Sequence, residues 1–139
     1  MNDLNLISNN HKYLEIANWI KKSKDYLEDA SALVDYGKRV GPISKIYYSN
    51  FYCAKALLLL YGKQHKKHSS VISEFGATII KKERFPKKFG RFLNKMFNLR
   101  QKADYSNSYM GLSRKEFKKL LRVAESFINV TESFIIKKR

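Results

Sequence analysis

Residues 86–105 read PKKFGRFLNKMFNLRQKADY, and the rest of the chain is organised around their helical pattern. At about 100° per residue, one side of this helix carries apolar side chains, namely Phe89, Phe92, Leu93, Met96, Phe97 and Ala103. The opposite side carries polar and basic ones, namely Lys87, Lys88, Arg91, Asn94, Lys95, Asn98, Gln101 and Lys102. Pro86 fits the first helical position, where its missing N–H costs nothing. The stretch is therefore predicted to be an amphipathic helix with one buried face.

Two charged residues interrupt the apolar side of this helix. Arg100 lies close to three full turns after Phe89, and Asp104 lies one turn further on. A guanidinium and a carboxylate on an apolar face are costly unless they are paired or face a cleft. The simpler interpretation is a buried Arg–Asp ion pair within one helix, and the alternative is a functional cleft.

Four further helices are predicted around this one. Their bounds are about His11–Tyr36, Pro42–Tyr61, Ser69 or Ser70 to about Ile79, and Ser113 to about Ile135. Residues 1–10 are expected to form a flexible polar lead-in, and the last helix starts at a capping box, Ser113–Glu116. Glycine and proline are scarce and no strand-like alternation occurs. The predicted fold is a single all-α domain over residues 1–139, an antiparallel up-and-down bundle of about five helices.

The second helix is apolar nearly all round, because Tyr48, Tyr52 and Leu59 occupy the back of its main stripe. Such a helix is central in a bundle or shared with a second subunit, so we expect a twofold homodimer. Asn50 lies within the main stripe, where a buried amide must find a partner. It forms either a helix–helix hydrogen bond or a second part of the site at Arg100, and we expect these two side chains to approach each other.

The charge balance points to anionic partners. The chain has 28 Lys and Arg against 12 Asp and Glu, a net charge of +16. Nucleic acid is the first candidate, an acidic protein the second and an anionic membrane surface the third. No apolar run approaches the ~18 residues that span a membrane, and the first residues do not form a signal peptide. A single cysteine, Cys53, fits a reducing cytoplasm, where we expect the protein to act.

Several kinds of site find no match in the sequence. There is no glycine-rich phosphate loop, zinc motif or nucleophile elbow, and no cofactor or metal is predicted. His65 and His68 lie in a basic stretch that we interpret as a solvated turn, because no Cys, Asp or Glu lies beside them. The candidate catalytic residues are Arg100, Asp104 and Tyr105. An arginine can stabilise a phosphate transition state without a metal, but a good base is missing.

A basic surface accompanies these candidates. Between Lys81 and Lys102 there are nine basic residues and one acidic residue, Glu83. This density fits either a solvated outer face or a surface that follows a phosphate backbone beside Arg100. The candidate substrate-binding residues are Tyr47, Asn50, Lys87, Lys88, Arg91, Lys95 and Lys102.

The chain resembles the HEPN family (higher eukaryotes and prokaryotes nucleotide-binding), and most closely its small stand-alone prokaryotic members. The resemblance covers about His11 to Ile136 and rests on four segments in order. These are His11–Leu14, Tyr47–Leu58 (YYSNFYCAKALL), His68–Gly76 (HSSVISEFG) and Leu99–Tyr105 (LRQKADY).

This resemblance implies a helical bundle that is commonly a homodimer. Many members are metal-independent RNases, others bind RNA or nucleotides, and stand-alone members are often toxins encoded beside a minimal nucleotidyltransferase antitoxin. The family's catalytic motif is an arginine, four to six residues, then a histidine. Arg100 matches the arginine, no histidine follows it, and Tyr105 occupies the earliest position for one. Tyr105 is also a candidate for modification by such an antitoxin.

The sequence thus predicts a HEPN-like dimer that binds RNA or a nucleotide phosphate at Arg100, as the partner of a nucleotidyltransferase. One alternative is a ribonuclease with an atypical motif, Arg100 to Tyr105. The other is a non-catalytic interaction module in which Arg100 and Asp104 only stabilise the bundle.

Overall fold

A computed structural model describes residues 3–105 and 111–138, with the side chains of residues 10–104 and 111–138. It contains five α-helices, α1 (Asp3–Asp35), α2 (Gly41–Leu60), α3 (His68–Glu74), α4 (Lys87–Tyr105) and α5 (Arg114–Lys138). A π-helical segment, Phe75–Lys82, continues α3. No strand occurs in the described ranges. The predicted all-α bundle of five helices is confirmed.

The helix ends follow local signals that the sequence displays in most places. Gly37 adopts a φ of 79° just after α1, as glycine does at a helix C-terminus. At the start of α5, Ser113 Oγ accepts a hydrogen bond from the Glu116 N–H at 3.1 Å, and Glu116 Oε1 accepts one from the Ser113 N–H at 3.3 Å. The capping box is therefore present as predicted.

Two predicted helix starts are wrong. Helix α1 begins at Asp3, so residues 3–10, expected to be a lead-in, continue it. Helix α3 begins at His68, one or two residues before the expected Ser69 or Ser70 cap, and Lys67 precedes it without a side-chain cap. The second difference matters because it moves His68 from a turn into a helix that packs on α2.

Helix α2 is the centre of the bundle. Helices α1, α4 and α5 all pack against it, and α1 runs along its length. Leu59 and Leu60 on its back are buried within the chain. Tyr48 and Tyr52 are half-buried beside Tyr26 and Trp19 of α1. Much of the apolar surface that suggested a second subunit is therefore covered by α1.

Polar groups inside the bundle are paired mainly between helices. Ser23 Oγ of α1 donates to the Ser49 carbonyl of α2 at 2.6 Å, and Ser49 Oγ donates to the Ser23 carbonyl at 2.8 Å. Cys53 is buried beside them, and this burial raises the pKa of its thiol to about 12. Cys53 is therefore a packing residue rather than a nucleophile. None of the helices in the described ranges is long and apolar enough to cross a membrane.

Candidate functional site

Arg100 lies on the inner face of α4, where that helix crosses α2. Its guanidinium carbon is 5.3 Å from the ring centre of Tyr47 and 4.9 Å from that of Tyr48. The position follows from the helical repeat, because Arg100 continues the stripe of buried residues that includes Phe89 and Met96. Two aromatic faces thus hold one cation by cation–π contact.

The partner carboxylate of Arg100 is exposed. Arg100 Nε lies 3.5 Å from Asp104 Oδ2, with 24% of the arginine side chain and 56% of the aspartate side chain exposed. No other carboxylate among the described residues forms an ion pair with Arg100. The Arg–Asp pair within one helix is therefore present but only partly buried, and the guanidinium lies half-buried beside the rings of Tyr47 and Tyr48.

His68 joins Arg100 from a different helix. Its Nδ1 lies 2.9 Å from the Tyr47 hydroxyl, and its ring stacks on Phe51 with centres 4.3 Å apart. Its ring is nearly perpendicular to that of Tyr48, with centres 5.6 Å apart. The solvated turn predicted here is therefore wrong for His68, which is half-buried among aromatic rings. We call Arg100, His68, Tyr47, Tyr48 and Phe51 the Arg100 cluster.

Burial and neighbouring cations control protonation in this cluster. Burial lowers the pKa of His68, and the positive charges of Arg100 and Lys55 lower it further. Burial raises the pKa of the Tyr47 hydroxyl well above its usual range, against the opposing effect of Arg100. At neutral pH the imidazole is therefore neutral and Tyr47 is a phenol.

The contact between His68 and Tyr47 can use either tautomer of the neutral imidazole. If the Tyr47 hydroxyl donates to Nδ1, then Nε2 carries a proton and can donate to an anion. If Nδ1 donates to the Tyr47 oxygen, then Nε2 carries a lone pair and can accept a proton. The cluster therefore combines a fixed cation with a group that either donates or accepts a hydrogen bond.

Asn50 does not join this cluster. It is fully buried, and its Nδ2 donates to the Ala124 carbonyl of α5 at 3.2 Å. Its Oδ1 has no hydrogen-bond partner among the described residues. The predicted network between Asn50 and Arg100 is therefore absent, and Tyr47, one turn earlier on α2, contacts Arg100 instead. Tyr47 was predicted as a substrate contact.

The remaining candidates lie in two places. Tyr105 is the last residue of α4, and its side chain lies outside the described residues. The basic candidates Lys87, Lys88, Arg91, Lys95 and Lys102 are all exposed. The first four of these form the outer face of α4, which faces away from the Arg100 cluster.

Sequence reasoning missed His68, although a signal existed. His68 precedes Ile72 by four residues and Phe75 by seven, so it continues the apolar stripe of α3. The same signal, a polar residue inside an apolar stripe, identified Arg100. Three stripe residues on three helices, namely Tyr47, His68 and Arg100, therefore meet in one cluster.

Comparison with known proteins gives the family. The HEPN domain model matches residues 16–134. A "UPF0332 protein" of Thermotoga maritima is 32% identical over 126 residues, 91% of this chain and 95% of that protein. "Putative toxin MJ0142" of Methanocaldococcus jannaschii is 34% identical over 89% of this chain and 84% of its own length. "Putative toxin MJ0605" from the same organism is 31% identical over 83% of this chain and 84% of its own. The chain therefore belongs to the HEPN domain family.

Proposed function

We propose that the Arg100 cluster binds a phosphate group of RNA or of a nucleotide. The observation that carries this proposal is that Arg100 and His68 both contact the rings of Tyr47 and Tyr48, while among the described residues Arg100 forms an ion pair only with the exposed Asp104. A guanidinium fixed by two rings can bind a phosphate with little loss of side-chain entropy. The surrounding rings of Tyr47, Tyr48 and Phe51 exclude water and strengthen that contact.

The outer face of α4 supplies long-range attraction. Lys87, Lys88, Arg91 and Lys95 are exposed, and none of them forms an ion pair with another described residue. Their charges can follow a phosphate backbone whatever its sequence. In this proposal the outer face brings the strand to α4 and Arg100 binds one phosphate of it.

The toxin names of two relatives support a toxin-like function within the HEPN family.

We propose further that the protein acts in the cytoplasm as a homodimer and pairs with a nucleotidyltransferase. A groove between α1 and α5 gives the homodimer a candidate surface, because Leu14 and Ile136 line it and are 61% and 69% exposed. The dimer is thus expected at α1 and α5 rather than on the back of α2.

RNA binding is tested by fluorescence anisotropy with a labelled single-stranded RNA. Arg100→Gln should weaken binding about 10- to 100-fold, the range for losing a charged hydrogen bond of about 1.5–3 kcal/mol. Arg122→Gln is the matched control, because Arg122 is exposed on α5 and its replacement removes the same charge. Equal binding by the Arg100→Gln variant and the control would contradict the proposal.

A second candidate function, RNA cleavage, is favoured by the position of His68. In the tautomer with a free Nε2 lone pair, His68 takes the proton of a ribose 2′-hydroxyl. The 2′-oxygen then attacks the adjacent phosphorus, the bond from phosphorus to the 5′-oxygen breaks, and that oxygen takes a proton from water. The product is a 2′,3′-cyclic phosphate, and Arg100 stabilises the charge that develops on the phosphoryl oxygens.

Cleavage is tested in the presence of EDTA by identifying the 3′ ends of the products. We expect 2′,3′-cyclic phosphate ends with the unchanged protein. His68→Gln and Arg100→Gln should each reduce the rate by about 100-fold or more, as removal of a general base or of an anion-stabilising donor does. A rate that is unaffected by His68→Gln would exclude this mechanism, and RNA binding without cleavage would leave the binding function alone.

A further inference from the structure

A cavity adjoins the Arg100 cluster on the side of α1. Its volume is about 350 Å³, and it lies between α1, α2, the loop after α2 and the start of α3. Trp19, Leu58 and Leu59 form apolar walls, and the lining also includes the basic residues Lys55, Lys63 and Lys66. This size and mixture of apolar walls with a few polar groups are typical of small-molecule sites.

The cavity is positively charged. Its lining carries three lysines and one carboxylate, Glu15. Lys63 also forms an ion pair with Glu74 at 3.5 Å, and Glu74 holds His65 at the same distance. These contacts attach residues 61–67 to α3, and Glu74 offsets part of the charge of Lys63. An anion entering the cavity would therefore meet Lys55 and Lys66 as the lining lysines that form no ion pair with another described residue.

Lys55 is the central residue of this arrangement. Its Nζ lies 4.3 Å from the ring centre of Trp19 and 6.0 Å from that of Phe51. It forms no ion pair with another described residue. Burial lowers the pKa of Lys55 and the charge of Lys22 lowers it further, while the carboxylate of Glu15 partly opposes both, so the ammonium is incompletely compensated. A phosphate would compensate this charge.

Lys55 connects the cavity to the Arg100 cluster. It lines the cavity, and its Nζ lies 6.0 Å from the ring centre of Phe51, which in turn stacks on His68. Lys55 is also close enough to lower the pKa of His68 by charge repulsion. An anionic ligand that fills the cavity is therefore a neighbour of one bound at Arg100.

We propose that this cavity is a nucleotide subsite, which holds a nucleoside monophosphate unit next to the phosphate at Arg100. The phosphate contacts Lys55, Lys63 and Lys66, and the base lies against the apolar wall of Leu58, Leu59 and Trp19. The inference rests on the proposed function, since it assigns a second contact to the same ligand. The unit can come from a free nucleotide or from the next position of an RNA strand.

The fluorescence of Trp19 reports ligand binding in the cavity, because Trp19 lines the cavity and is the only tryptophan of the chain. Adenosine 5′-monophosphate is titrated while tryptophan fluorescence is recorded with excitation beyond the absorption of adenine. We expect a saturable change in the unchanged protein, and at least a tenfold weaker midpoint in the double variant Lys63→Gln with Lys66→Gln. The double variant Lys115→Gln with Lys119→Gln, which removes two exposed charges on α5, should match the unchanged protein.

A repeat of the titration with a short single-stranded RNA separates the two sources of the ligand. A midpoint lower than that of the mononucleotide indicates a strand across both sites, and an equal midpoint indicates a free nucleotide; both support the subsite. A fluorescence change that does not saturate, or that is equal in the two double variants, would overturn it. If RNA anisotropy still depends on Arg100 in that case, the proposed function stands without the subsite.

Discussion

The two faces of α4 carry their positive charge in different ways. On the outer face, Lys87, Lys88, Arg91 and Lys95 extend into solvent. On the inner face, Arg100 is held between aromatic rings with 24% of its side chain exposed. The outer charges can attract any polyanion, whereas Arg100 can bind only an anion that reaches its half-buried guanidinium. The comparison shows why net charge indicates the class of partner, while a charge inside an apolar stripe indicates the site.

The largest expected effect is on the outer face. Replacing Lys87, Lys88, Arg91 and Lys95 together with Gln should weaken binding to single-stranded RNA of every sequence. It should also flatten the dependence of log Kd on log salt by roughly 0.7 for each phosphate that the protein no longer neutralises. Anisotropy titrations at several salt concentrations measure both quantities.

The matched control for the outer face is a variant with four exposed cations replaced on α5, namely Lys115, Lys119, Arg122 and Lys137. It has the same net charge as the outer-face variant. If the two variants show the same salt dependence, then total charge accounts for binding and the outer face of α4 has no special role.

A smaller effect is expected on stability when Arg100 is replaced. Arg100→Ala removes two cation–π contacts and a partly exposed ion pair, which together stabilise the fold by about 1–2 kcal/mol. Adding Asp104→Asn should change the melting temperature little, since Asp104 is largely solvated. Thermal melts of both variants measure this; a destabilisation of several kcal/mol that Asp104→Asn reverses would show a structural ion pair instead.

The pH dependence of stability tests the environment of His68. Because burial and the cations of Arg100 and Lys55 lower its pKa in the fold, the unfolded chain binds a proton first as pH falls. The contribution of the neutral His68 to stability is complete above the pKa of histidine in the unfolded chain, about 6.5. It is lost as pH falls through the lowered pKa of His68 in the folded protein. Thermal melts between pH 8 and about pH 5 should therefore fall more steeply in the unchanged protein than in His68→Gln. Parallel curves would place His68 in solvent.

The smallest effect is expected at Asn50, which the sequence suggested as part of the site. Asn50→Leu removes a hydrogen bond to Ala124 and also removes a buried oxygen that has no partner in the described part of the chain. These changes oppose each other, so stability should change by less than about 1 kcal/mol. RNA binding should not change; a clear drop in affinity in a folded variant would return Asn50 to the site.

The helical pattern of the sequence was sufficient for the bundle and for Arg100. Apolar spacing and the Ser113–Glu116 capping box act locally, so they can be recognised without knowledge of which helices meet. Arg100 was identified because a cation in an apolar stripe is costly wherever the helix packs.

The pairing of these elements could not be deduced in the same way. His68 reaches Arg100 only because α3 begins one turn before Ile72 and packs on α2, which is a property of the tertiary structure. The amide of Asn50 faces α5 rather than α4, and Leu59 on the back of α2 is buried within the chain. Each of these outcomes depends on the rotation of one helix against another, which periodicity in a single helix does not define.

The most direct test of the phosphate site is the pKa of His68, measured by NMR with and without a saturating single-stranded RNA. The chain has three histidines, and His11, which is exposed on α1, serves as the internal control. A phosphate bound at Arg100 places a negative charge beside the imidazole and stabilises its protonated form. RNA should raise the pKa of His68, while the imidazole signals of His11 should move less or not at all. An unchanged pKa of His68 in a complex that anisotropy shows to be saturated would contradict it.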